Sequence, residues 1–188
     1  MRLNITLLLC FIMATAGCHE HKGGGEAREA EKPKPAAAEA KGQVNLELLK
    51  PLRMSAKPGG VISIRDVLNK KEGEQVVFSG RTPPENVKPY NAAVAAFVLL
   101  APEDMEKPDV KEELACEDAA TCPRCKQILD KYAVRVELVD ASGAVLPTTV
   151  EGFENLKPGS SITVEGEVKR DGKDKKLVRV VARKFYPG

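Results

Sequence analysis

The chain of 188 residues has no tryptophan, three tyrosines and five phenylalanines. Proteins that bind single strands stack successive bases on aromatic side chains, so few such platforms are on offer. Histidine is scarcer still: His19 and His21 are the only two, and both precede the folded part. The commonest general base is therefore missing from the remainder. Ser63, Ser79, Ser160 and Ser161 have no histidine to activate them. No pair of carboxylates is singled out by spacing either, and the sequence reads as a non-enzyme. An excess of one charge is lacking too. The formal net charge is +2, so global attraction to nucleic acid or to an anionic membrane surface is not indicated. No apolar run is long enough to span a bilayer.

Residues 1–17 read as a signal peptide. Arg2 is the positive n-region and Ile5 to Met13 the apolar h-region. Ala14-Thr15-Ala16 fits a small-residue cleavage site for ordinary secretion. Ala16-Gly17-Cys18 resembles the end of a bacterial lipobox, with Thr15 where leucine is usual, and that resemblance implies lipidation at Cys18. Residues 18–45 follow as a lipid-anchored flexible linker. The stretch from His19 to Gln43 is mostly Gly, Ala, Pro, Glu and Lys, with no large apolar residue. Such a segment cannot bury enough surface to offset its ordering entropy. A spacer of this kind holds a domain off a membrane. The expectation is an exported protein of the cell envelope. It is anchored through lipid to the outer membrane or the periplasmic face of a membrane, or else secreted.

Residues 46–188 suffice for one domain with a real core. Ile64, Val67 and Leu68 in "VISIRDVLNKK" have helical spacing, with Gly73 beyond. The period then changes to two. "QVVFSGR" (75–81) reads as a strand. "AAVAAFVLL" (92–100) reads as a buried strand between Pro89 and Pro102. In "YAVRVELVD" (132–140), Tyr132, Val134, Val136 and Leu138 share one face, and Arg135 and Glu137 the other. "SITVEGEVK" (161–169) puts Ile162, Val164 and Val168 inward and Glu165 and Glu167 outward. A hairpin turn at 170–174 leads to "LVRVVARKFY" (177–186). Five strands, a glycine inside one of them (Gly166) and short turns predict a small closed barrel.

The fold class is thus mainly β: a five-stranded barrel with a short N-terminal helix and a helical or loop insertion, preceded by a disordered tether. On "QVVFSGR", "FENLKPGSSITVEGEVKR" and "LVRVVARKFY" the chain resembles an OB-fold. It also looks like uncharacterised bacterial envelope proteins of that fold that carry a cysteine-bearing insertion between strands two and three. The resemblance implies a connector between strands three and four at 150–158. It brings no activity with it.

The insertion spans 102–131. From Glu103 to Asp118 it holds eight acids and two bases. It also holds "ACEDAATCPRC", with Cys116, Cys122 and Cys125, and loops of this length are usually functional or pinned. Three readings compete. Exported cysteines usually pair, so a structural disulfide between two of the three comes first. Cys122-x2-Cys125 also has the spacing of a zinc or copper knuckle, with Cys116 as a third thiolate and no nearby histidine for a fourth ligand. Finally, "TCPRCKQILDKY" looks locally like a glutaredoxin or thioredoxin site. A helix from Pro123, with Arg124 and Lys126, would lower the Cys122 pKa, and Pro147 would mimic the facing proline. Spacing argues against this thiol oxidoreductase, because Leu100 lies about twenty residues before Cys122 and Pro147 about twenty after Cys125.

A ligand surface on the barrel would use Arg135, Arg179, Arg183 and Lys184. Glu165 and Glu167 beside them make charge pairing across strands the competing account. Phe78, Phe97 and Tyr132 fall on core faces, which leaves Tyr90, Phe153 and Phe185 near loops. The expected function is a binding or assembly module for a protein or saccharide ligand, with single-stranded nucleic acid not favoured.

Overall fold

The computed structural model describes residues 42–119, 121–170 and 177–188. The signal peptide, Cys18, most of the linker and the hairpin tip after Arg170 lie outside them. Among the described residues no helix is long and apolar enough to cross a membrane.

Five strands form the closed barrel. They are β1 (Gln75–Arg81), β2 (Ala96–Leu100), β3 (Ala133–Leu138), β4 (Ser161–Arg170) and β5 (Val178–Pro187), in spatial order β1-β2-β3-β5-β4. β3 and β5 run parallel, with Val134 opposite Val178 and Leu138 opposite Ala182. The other neighbours are antiparallel. This arrangement is compatible with the OB-like barrel that the sequence resembles. Alternation carries the core: Val76 and Phe78, Val134 and Val136, Ile162, Val164 and Val168, and Val178, Val180 and Ala182 are all buried.

Gly166 is required where it stands. A Cβ there would lie 2.5 Å from the Val181 carbonyl oxygen, and the β4–β5 register shifts between Glu165 and Gly166. The bulge resets the period of β5. Phe185 therefore turns inward while Arg183 and Lys184 both face solvent. Phe185 packs on Phe153, their ring centroids 5.5 Å apart. Tyr90, Phe153 and Phe185, placed near loops by the sequence reading, are all buried in the barrel core. Tyr132 is the reverse case. It ends a helix and packs in a second, separate cluster.

Among the described residues five short α-helices accompany the barrel: α1 (Leu46–Leu49), α2 (Ile64–Leu68), α3 (Pro102–Met105), α4 (Pro108–Glu113) and α5 (Pro123–Tyr132). The end of the linker region lies against the barrel. Val44 packs on the core, and Thr148 accepts a bond from the Asn45 amide at 2.8 Å. α2 opens on a reciprocal cap between Ser63 and Asp66. Its Ile64 and Val67 enter the core. Gly80 of β1 has no side chain where Ile64 and Leu99 press closest. A 3-10 turn at Phe153–Asn155 fills the expected β3–β4 connector.

The insertion is three helices, each opened by proline in its first turn, where the missing N–H costs nothing. It builds its own apolar cluster from Val110, Leu114, Ala119 and Cys125, joined by Val87 from the β1–β2 connection. α5 runs directly into β3, so the thiol-bearing helix is continuous with a barrel strand. The other anchor is Asp104 of α3, with 0% of its surface exposed. Arg65 of α2 grips it through two nitrogens, and Lys107 Nζ stands 2.7 Å away.

The Arg65 hydrogen bonds hold the Asp104 carboxyl below the usual carboxylate range, with help from Lys107. A depressed value means that the folded state binds its proton more weakly than the unfolded chain. The stabilisation is therefore present above the unfolded value of about 3.9 and is lost as pH falls through the folded one. Asp104→Asn will cost about 2 kcal/mol at neutral pH, the scale of a hydrogen bond to a charged group. It will also remove part of the loss of stability below about pH 4. Urea melts at pH 7 and at pH 3 check both. Equal melts for parent and variant would show that this clamp does not dock the insertion.

Candidate metal centre

The three cysteines of the insertion come from two places. Cys122 is the N-cap of α5, and Cys125 sits in its first turn. Cys116 lies on the irregular segment between α4 and α5. That segment is held from outside. The side-chain amide of Asn86, in a 3-10 turn after β1, donates to the carbonyls of Leu114 at 2.6 Å and Cys116 at 2.7 Å. The Cys125 thiol donates to the Glu113 carbonyl at 2.7 Å and so ties α5 to the end of α4. Cys125 is fully buried, while Cys116 and Cys122 are half-exposed.

The outcome is convergence. The three sulfurs lie within 4.8 Å of one another, and Cys116 Sγ is 3.7 Å from Cys122 Sγ. All three are free, and no pair is at disulfide distance, about 2.05 Å. The structural bridge read from the sequence is not present in this structure. Among the described residues no histidine or carboxylate joins the cluster. The acids of the insertion are mostly solvated on its outer faces, Asp104 excepted. Three converging sulfurs of this kind could hold a metal ion.

The cysteines differ in acidity. The backbone N–H groups that open α5, that of Cys125 first and that of Arg124 after it, favour negative charge on the Cys122 sulfur and hold its thiol below the ordinary value. Those donors are the orphan amides of the α5 first turn. Burial acts the other way on Cys125 and pushes its thiol up to about 12. Arg124 leans toward Glu113, 4.0 Å away and mostly exposed.

Cys116 also borders a cleft of ≈ 890 Å³ that Arg81, Pro84, Asn86, Leu114 and Lys157 help to line. A neighbouring hollow of ≈ 730 Å³ touches Tyr90 and shares Glu85, Glu151 and Pro158 with it. Pro147 is exposed on the β3–β4 connection and does not line either one.

The four cationic residues read as a ligand surface are divided. Arg135 Nε is 3.2 Å and Arg179 Nη1 2.9 Å from opposite oxygens of Glu137, a nearly buried carboxylate on β3. Arg135 and Arg179 are register partners across β3 and β5. Lys184 pairs in register with Glu165. Arg183 is exposed near Glu167, whose carboxyl is lowered chiefly by Lys169 and slightly by Arg183. Glu137 lies on the strand face opposite Val134 and Val136, as its spacing predicts, yet is nearly buried; the spacing gives no sign of the roles of Asn86, Arg65 and Asp104. The prolines at 102, 108 and 123 were the available sign of three helices, since proline favours a helix's first turn.

No protein-family model matches the chain, and no match to a curated protein was found.

Cys122 will alkylate first. With iodoacetamide on the reduced protein, its rate will reach half-maximum below the ordinary thiol value of about 8.5. Cys125 will stay unmodified up to pH 9, because it is buried and its thiol is pushed up to about 12. Peptide mass spectrometry across pH 6–9 checks both, and equal labelling of the two would contradict the assignment.

Proposed function

We propose that the protein is an exported, membrane-anchored binding module whose ligand is a soft metal ion, held by Cys116, Cys122 and Cys125. One observation carries this reading: three sulfurs from two separate segments converge within 4.8 Å. Thiolates select thiophilic metals such as copper and zinc over magnesium or calcium. The amides at the start of α5 favour negative charge on Cys122, as a metal–thiolate centre requires. The apolar cluster around Cys125 keeps one flank dry. The N-terminal pattern supports the anchor at Cys18 and the envelope location, with the OB-like barrel as the rigid carrier.

The protein purified anaerobically from its envelope will carry or take up one thiophilic ion per chain. Native mass spectrometry reads the adduct, and lipid on Cys18 appears as added mass on the denatured protein. Cys122→Ser and Cys125→Ser will each abolish the adduct. Uptake that persists in both variants would overturn the proposal.

A second reading rests on the 3.7 Å approach of Cys116 and Cys122. Here the Cys122 thiolate attacks a substrate disulfide and forms a mixed disulfide, releasing the first substrate thiol. Cys116 then attacks the Cys122 sulfur, releases the second, and leaves a Cys116–Cys122 bridge. The substrate disulfide is reduced by two electrons and the pair oxidised by two. A peptide disulfide substrate will be reduced by the parent protein and not by Cys122→Ser if this holds. Equal activity in both would remove it.

A further inference from the structure

We infer that the preferred ion is monovalent copper in trigonal three-sulfur coordination, and that Cys116 is the ligand through which it exchanges. This rests on the metal-binding reading above and goes beyond it in naming the ion and the exchanging ligand.

The donor set decides the ion. A closed zinc site wants four protein ligands in a tetrahedron. Among the described residues the cluster offers three sulfurs and no nitrogen or carboxylate. Zinc would therefore keep an open position. Copper(I) is soft and is matched by thiolates alone. Geometry agrees with this. Three sulfurs each about 2.3 Å from a central ion stand about 4 Å apart. The cluster's closest pair is at 3.7 Å and its widest spacing at most 4.8 Å. Closing onto an ion needs shifts of a few tenths of an ångström, with no refolding.

The three ligands are not equivalent. Cys122 and Cys125 share the first turn of α5, which is continuous with β3. Cys125 is surrounded by Val110, Leu114 and Ala119. Cys116 stands on the irregular segment, is half-exposed and borders the ≈ 890 Å³ cleft. It can leave the ion without disturbing a helix, and its departure leaves copper(I) on two sulfurs. An incoming soft ligand then has an approach from the cleft side. The two half-helix sulfurs hold the ion while the third is replaced, which is the order that exchange between thiol sites needs.

The test uses the full chain in detergent with Cys10 and Cys18 replaced by serine, reduced and free of oxygen. Copper(I) is titrated against bathocuproine disulfonate, and zinc against a chromogenic chelator. One copper(I) per chain is expected, bound about a thousand-fold tighter than zinc. Cys116→Ser should keep copper(I), hand it to the chelator at least about tenfold faster, and show two sulfur scatterers. The parent should show three in X-ray absorption at the copper edge, a readout that needs no variant to fold. Zinc bound as tightly as copper(I), two sulfurs in the parent, or a Cys116→Ser transfer rate equal to the parent's would each overturn this inference and leave metal binding standing. Failure to bind either ion would overturn metal binding itself.

Discussion

A carboxylate with no exposed surface joins the two halves of this domain. Asp104 lies where α3 leaves β2, and a buried charge is tolerated only with partners in place. Arg65 reaches it from α2, the same helix whose Ile64 and Val67 fill the barrel core. One short helix thereby touches both the barrel core and the first helix of the insertion. The position of α3 sets that of α4, and α4 sets the start of the segment that carries Cys116. Lys107, which also contacts Asp104, lies over the Tyr132 ring at 4.8 Å from its centroid, with Lys131 at 4.6 Å. The far end of α5 is thus held by the same group of charges.

The sulfur cluster is the product of two constraints that meet. α5 fixes Cys122 and Cys125 three residues apart on one turn, and its continuity with β3 fixes α5. The Asn86 amide fixes the other segment by satisfying two carbonyls that have no helical partner. Neither constraint alone places three sulfurs together. The three sulfurs could hold an ion, and the insertion carries an apolar cluster of its own beside them.

The barrel itself offers less than its sequence promises. Its phenylalanines are buried in the core, and so is Tyr90. Arg135 and Arg179 converge on Glu137 instead of presenting themselves to a ligand. The candidate metal centre sits on the insertion, and α5 joins that insertion to the barrel.

The strands were legible because alternation is a local property. "QVVFSGR" is β1 residue for residue, and Ile162, Val164 and Val168 are buried as their spacing requires. The three cysteines were legible as a candidate site from their density alone. What the sequence could not carry is every relation across long separations. Asp104 is 39 positions from Arg65, and Cys116 is 30 positions from Asn86. An acid inside an acidic run gives no sign that it alone is buried. The β4–β5 bulge likewise turned Phe185 inward, because the clash at Gly166 involves a neighbouring strand and not the residue's own segment. Composition and periodicity determined a five-stranded barrel with a thiol-bearing insertion. Only tertiary packing decided that the sulfurs converge, because the distance between two segments is set by what each is anchored to.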